Sequence, residues 1–116
     1  MATYAFSPAM TGGTVGLTSS ITLASGAPAA GTITIASGPN VNTVLVSNTA
    51  SLAAFVRLST TPSLTATTAD TPVMPNTSHV LAIPSNVVVY GYAVNGATLA
   101  AAASVYFTPG EGGGGF

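Results

Sequence analysis

Apolar and polar positions along this chain alternate with a period of two, in short runs broken by Gly, Pro, Asn and Ser. Such alternation turns one face of an extended strand toward a core and the other toward solvent. The cleanest case is Thr32-Ile33-Thr34-Ile35, with both Ile on one side and both Thr on the other. Leu17, Ile21 and Leu23 alternate with Thr or Ser in the same way. Residues 44–47 and 53–58 are two further strand-forming runs, and SNTAS between them carries Asn48, which takes a left-handed turn cheaply. Residues 42–60 therefore read as a β-hairpin.

Residues 78–83 and 87–94 predict strands on either side of Pro84 and the Ser85-Asn86 turn. Asn95-Gly96 is the strongest hairpin signal in the chain and leads into residues 98–108. Residues 99–103 have helical propensity, but their place between an Asn-Gly turn and Val105-Tyr106-Phe107 predicts a strand. TGGTVG, GAPAAG and SGPN predict turns and loops. The polar, Pro-bounded stretch 60–72 is too long for a tight turn and predicts a crossing over one end of the fold. Residues 3–6 read as a strand or extended arm that Ser7-Pro8 stops.

Seven to nine short strands at spacings of about 8–12 residues, with no convincing helix, predict an all-β fold. The expected architecture is a single small antiparallel β-sandwich, jelly-roll-like. It divides into an N-terminal arm (1–10), the sandwich (11–108) and a flexible Gly-rich tail (109–116). No fixed period runs through the Thr and Ser positions, which argues against a solenoid and against a flat ice-binding Thr ladder built on one.

Composition narrows the function. A chain of 116 residues suits one domain with one core. Charged residues are 3% of it, where about 25% is usual. They are Arg57, Asp70 and Glu111, so hydration falls to hydroxyls, 18 Thr and 12 Ser. The net charge is −1, below the magnitude of ~2–8 that keeps small domains apart. Nothing electrostatic prevents copies from associating, and work within an assembly is expected. One Arg cannot neutralise a row of phosphates, which argues against nucleic-acid binding. Mean hydropathy is +0.61, yet no run approaches the ~20 apolar residues of a membrane-spanning helix. The start MATYAFSPAM lacks the basic and apolar regions of a signal peptide, so synthesis and folding in the cytoplasm are expected. With no Cys there is neither a disulfide framework nor thiolate chemistry.

Candidate chemistry is sparse. Ser78, His79 and Asp70 offer the residue types of a hydrolase triad, but no G-x-S-x-G elbow accompanies them. Asp70 and Glu111 are the only carboxylates for a glycosidase pair. One His and two acids without clustered spacing do not make a zinc or calcium site, and TGGTVG lacks the Lys of a phosphate loop. No enzyme, cofactor or metal is expected. What remains is suited to contact. Tyr90 and Tyr92 share a strand face opposite Val87, Val89 and Ala93, and Phe55 and Arg57 share one opposite Ala54, Val56 and Leu58. Tyr is enriched at interfaces. The interface candidates are Tyr4, Phe6, Phe55, Arg57, Tyr90, Tyr92 and Phe116. Asp70 either pairs with Arg57 or stands as a separate solvated charge.

The run VLVSNTASLAAFVRLSTTPSLTATTADTPVMPNTSHVLAIPSNVVVYGYAV, residues 44–94, resembles a small virion protein of tailed bacteriophages. In that pattern a strand ending VxNxxxxxAFVRxS precedes TATxxDxPVxPxTxxVxxIP and a Val/Tyr strand. Some such proteins resemble jelly-roll decoration (cement) proteins on the outside of the capsid. The resemblance implies a virion structural protein at the capsid surface, partnered by the major capsid protein and by itself as a homo-oligomer. A neck or tail adaptor shares these features, and a glycan-binding fibre head would have to use Tyr90, Tyr92 and Asn95.

Overall fold

The computed structural model describes residues 7–8, 10–11, 14–15, 18–23, 30–35, 38, 41–96 and 102–111. Among them no helix forms. The strands in chain order are β1 (Ser7–Pro8), β2 (Met10–Thr11), β3 (Thr14–Val15), β4 (Ser19–Leu23), β5 (Ala30–Ile35), β6 (Thr43–Asn48), β7 (Ala54–Ser59), β8 (Thr71–Val73), β9 (Thr77–Ala82), β10 (Val89–Asn95) and β11 (Ala103–Glu111). One antiparallel sheet has the order β1-β11-β6-β9, with β4 beside β1 along the same edge of the long β11. The other has the order β5-β10-β7-β8, and β2 and β3 form a small separate pair.

The period-two pattern decides which face of each strand turns inward. Val44 and Val46 of β6, Val105 and Phe107 of β11, and Ile21 and Leu23 of β4 meet Ile35, Val56, Val89 and Ala93 of the second sheet in one core. Full burial of side chains of this size contributes about 1.5–3 kcal/mol each. Two glycines in the second sheet let large side chains from the first come close. Phe107 packs on Gly91, where an added Cβ would stand 3.2 Å from its ring, and Ile21 fills the space a Cβ would need at Gly31.

The alternation at residues 32–35 lies in β5, and the runs at 44–47, 53–58, 78–83 and 87–94 overlap β6, β7, β9 and β10, with Ala53, Ile83, Val87 and Val88 outside the strands. The two expected hairpins do not form. β6 is flanked by β11 and β9, and β7 by β10 and β8, so residues 42–60 arch from one sheet to the other. Both edges of β10 are likewise occupied, by β5 and β7, so Asn95-Gly96 does not pair β10 with β11. In the arch Asn48 acts through its side chain rather than a left-handed backbone. Its Oδ1 accepts from the Ala50 N–H at 2.9 Å, and its Nδ2 donates to the Leu52 carbonyl at 2.9 Å and the Val73 carbonyl at 3.0 Å. One buried amide thus closes the arch and ties the end of β8 to it. The turns at Pro75-Asn76 and Ser85-Asn86 do place Asn in the left-handed region, with φ of 55° and 60°.

Both ends depart from expectation. Ser7-Pro8, expected to detach an arm, pairs with Glu111 and Gly110 as an edge strand, a position where a missing N–H is tolerated. β11 runs to Glu111 with Pro109 and Gly110 buried, so the chain leaves the sheet three residues later than the expected tail boundary. Residues 1–6 and 112–116, and with them Tyr4, Phe6 and Phe116, lie outside the described residues.

Candidate functional site

On the second sheet Gly91 and Ala93 face the core, so Tyr90 and Tyr92 face out. The outer face is nevertheless not open. Residues 60–70 cross it as a strap, with Ala66 buried, and Tyr92 lies beneath it at 1% exposure. The Tyr92 hydroxyl donates to the Thr61 carbonyl at 2.7 Å. Beside Tyr92 in register is Arg57, whose Nε donates to Asp70 Oδ1 at 2.9 Å. Asp70 Oδ2 accepts the Thr67 N–H at 2.7 Å, so this carboxylate fastens the far end of the strap. Burial by itself would push the Asp70 carboxyl up; the Thr67 N–H and the Arg57 guanidinium outweigh it and hold it below the ordinary carboxylate value.

Of the sequence-based interface candidates that lie among the described residues, two are engaged within the chain and two are half-buried. Tyr92 is buried by the strap, Arg57 is paired with Asp70, and Phe55 is half-buried with its ring against Gly96. Tyr90 is half-buried on the same face. Asn95 is 1% exposed, so Tyr92 and Asn95 are not available for a glycan platform. The triad residues do not converge. Ser78 and His79 alternate to opposite faces of β9, Ser78 Oγ lies 2.7 Å from Ser47 Oγ, and both Asp70 oxygens are engaged.

Among the described residues, the side of the molecule between β7 and β9 is open. β8 is three residues long and pairs only with Ala54, Phe55 and Val56. Pro72 sits within it and Met74-Pro75 ends it. Beyond Val56 no strand covers that edge of β7 among the described residues. Opposite it, β9 stands at the edge of the first sheet and, among the described residues, pairs only with β6. Between the two edges is a notch of about 320 Å³ walled by Val56, Leu58, Thr71 and Leu81, with the Arg57–Asp70 pair at its rim. It shares Leu58 and Ala82 with a neighbouring recess of about 110 Å³ reaching Ile83 and Val89.

β9 has few of the features that protect natural edges. Its sequence TSHVLA holds no Lys, no Pro and no formal charge. Val80 is 49% exposed on its outer face. Sequence reasoning located this run but missed its role, because period two reports a strand and not its place in the sheet. The signal that was present is Pro72, two residues after the strap, which marks β8 as an edge strand.

Comparison with protein-family models, with curated proteins and with solved structures finds no match to this chain.

Proposed function

We propose that the chain is a virion structural protein of a tailed bacteriophage, a capsid decoration (cement) protein with no enzymatic role that joins the head shell through its open flank. The observation that carries this reading is the edge of β9, uncharged and unpaired among the described residues, beside an open notch where Val56, Leu58 and Leu81 meet Thr71 and the Arg57–Asp70 pair. An extended segment added there gains main-chain hydrogen bonds from the edge and side-chain contacts from the notch. The connections that step between the sheets support a jelly-roll-like fold. The resemblance of residues 44–94 supports a virion setting, with the major capsid protein as the partner surface. Many weak, neutral contacts repeated over a lattice would resist internal pressure through summed buried area.

Quantitative mass spectrometry of purified particles tests the assignment. Copies in proportion to the major capsid protein support decoration, a single ring's worth indicates the neck or tail, and absence from particles overturns the virion reading. Attachment of this kind persists at ~1 M salt, where ion pairs are screened within about 3 Å. Release by moderate salt would assign the binding to charge instead.

A further inference from the structure

We propose, resting on the head-shell reading above, that His79 gates the open edge by its protonation: a neutral imidazole lets a strand of the shell seat on β9, and an imidazolium keeps that edge bare. Residues opposite one another in an antiparallel pair share a face. His79 stands opposite Val46, which is fully buried in the core. His79 therefore belongs to the inner face of β9, the face whose Leu81 packs against the core. It is nevertheless exposed, because β8 ends the second sheet after three residues and no further strand covers it among the described residues. An ionisable ring thus stands where a strand added to β9 would turn its own side chains inward.

Inward-pointing charge is one of the devices by which natural proteins keep edge strands from pairing, and β9 has no fixed charge of its own. Imidazole is the side-chain group whose charge ordinarily changes between pH 5 and 8, and His79 is the one His of a chain without Cys. The elements around it bring no second titratable group to that face. β6, β8 and the rest of β9 carry none. β7 and the end of the strap bring Arg57 and Asp70, which are committed to one another at 2.9 Å, with the second Asp70 oxygen on the Thr67 N–H. An added strand takes His79 out of water, which disfavours the charged ring. Strand addition and protonation therefore oppose each other, and attachment weakens as pH falls. Net charge alone would act the other way, since protonation brings the formal charge from −1 to zero and so favours association. The direction of the pH effect separates the local charge from the global one.

Co-sedimentation with particles assembled without the chain, at pH 8 and pH 5, tests the gate. The unaltered chain should bind at least about tenfold more weakly at pH 5, because each pH unit below the midpoint of a proton that must leave weakens binding about tenfold. His79→Gln should bind equally at both pH values and His79→Lys weakly at both, each with unchanged melting because the position is exposed. Aggregation of the chain alone at high concentration gives a reading without particles, since bare edges pair with one another. It should be slower at pH 5 than at pH 8, and alike at both for His79→Gln. Equal behaviour of the unaltered chain at both pH values, tighter binding at pH 5, or a pH effect that His79→Gln retains overturns the proposal. A chain that neither binds nor aggregates at either pH overturns it as well. A His79-dependent effect in aggregation without any particle binding retires the head-shell reading alone; particle binding that ignores pH retires only the gate.

Discussion

The two flanks of the molecule are built from similar residues and end differently. On the β4–β5 side, Ile21 seats on Gly31, and Leu23 and Ile35 are fully buried. On the β7–β9 side, Leu58 and Leu81 are only half-buried and Val80 is exposed. The difference does not come from hydrophobicity, since both flanks present Leu and Ile inward. It comes from backbone: glycine lets the sheets approach on one side, while Pro72 and the brevity of β8 leave the other a strand short.

Paired truncations test this contrast most strongly. Leu23→Ala should destabilise by about 3 kcal/mol, within the range for a core leucine, and Leu81→Ala by about 1 kcal/mol, because its site is already open to water. Denaturant midpoints at constant m-value are the measurement, and equal losses would erase the distinction. Next in size is Asn48→Ala, which leaves the Ala50 N–H and two carbonyls without their partner. A loss of about 2–3 kcal/mol is expected. Asn48→Asp should fare no better, since an acceptor would then face the Leu52 and Val73 carbonyls.

Much of this was legible in the sequence. Strand positions followed from alternation at Ile33 and Ile35 and at Ile21 and Leu23, and from the β-branched run at 44–47. Strand partners did not, because a turn signal such as Asn95-Gly96 records a chain reversal and not the sheet to which the next strand returns. Asn48 shows the same limit: its residue type marked a turn, but its hydrogen bond to the Val73 carbonyl, 25 positions away, belongs to the tertiary fold. The pairing of Arg57 with Asp70 was open in the sequence, and the burial of Tyr92 was concealed because the strap that covers it read only as a crossing segment.

The strap offers a smaller test. Asp70→Asn should cost about 1 kcal/mol, as befits a partly exposed pair, with Arg57 35% exposed. Because the folded state lowers the Asp70 pKa, its contribution is complete above the unfolded carboxylate value near 3.9 and fades as pH falls through the lower folded value. Stability curves of the two proteins should therefore converge in acid; a constant gap down to pH ~2 would deny the carboxylate its role. The smallest effect is expected at Thr43, whose hydroxyl is buried with no hydrogen-bond partner among the described residues. Thr43→Val should be neutral or stabilising by up to about 1 kcal/mol, and a clear loss would reveal an unseen partner for that oxygen.

The pairing of the first strand with the last bears on how the chain is made. Ser7 and Pro8 pair with Glu111 and Gly110, and β4 also pairs with β11. The larger sheet therefore cannot close during synthesis until β11 has emerged from the ribosome. Contacts this distant in sequence place folding in the slow range of milliseconds to seconds, and for that interval β1, β4 and β6 wait without the strand they share. A pulse-labelled nascent chain stalled before β11 should stay protease-sensitive and acquire protection only once translation resumes through β11, so that these nine residues determine when the protein comes into being as a folded object.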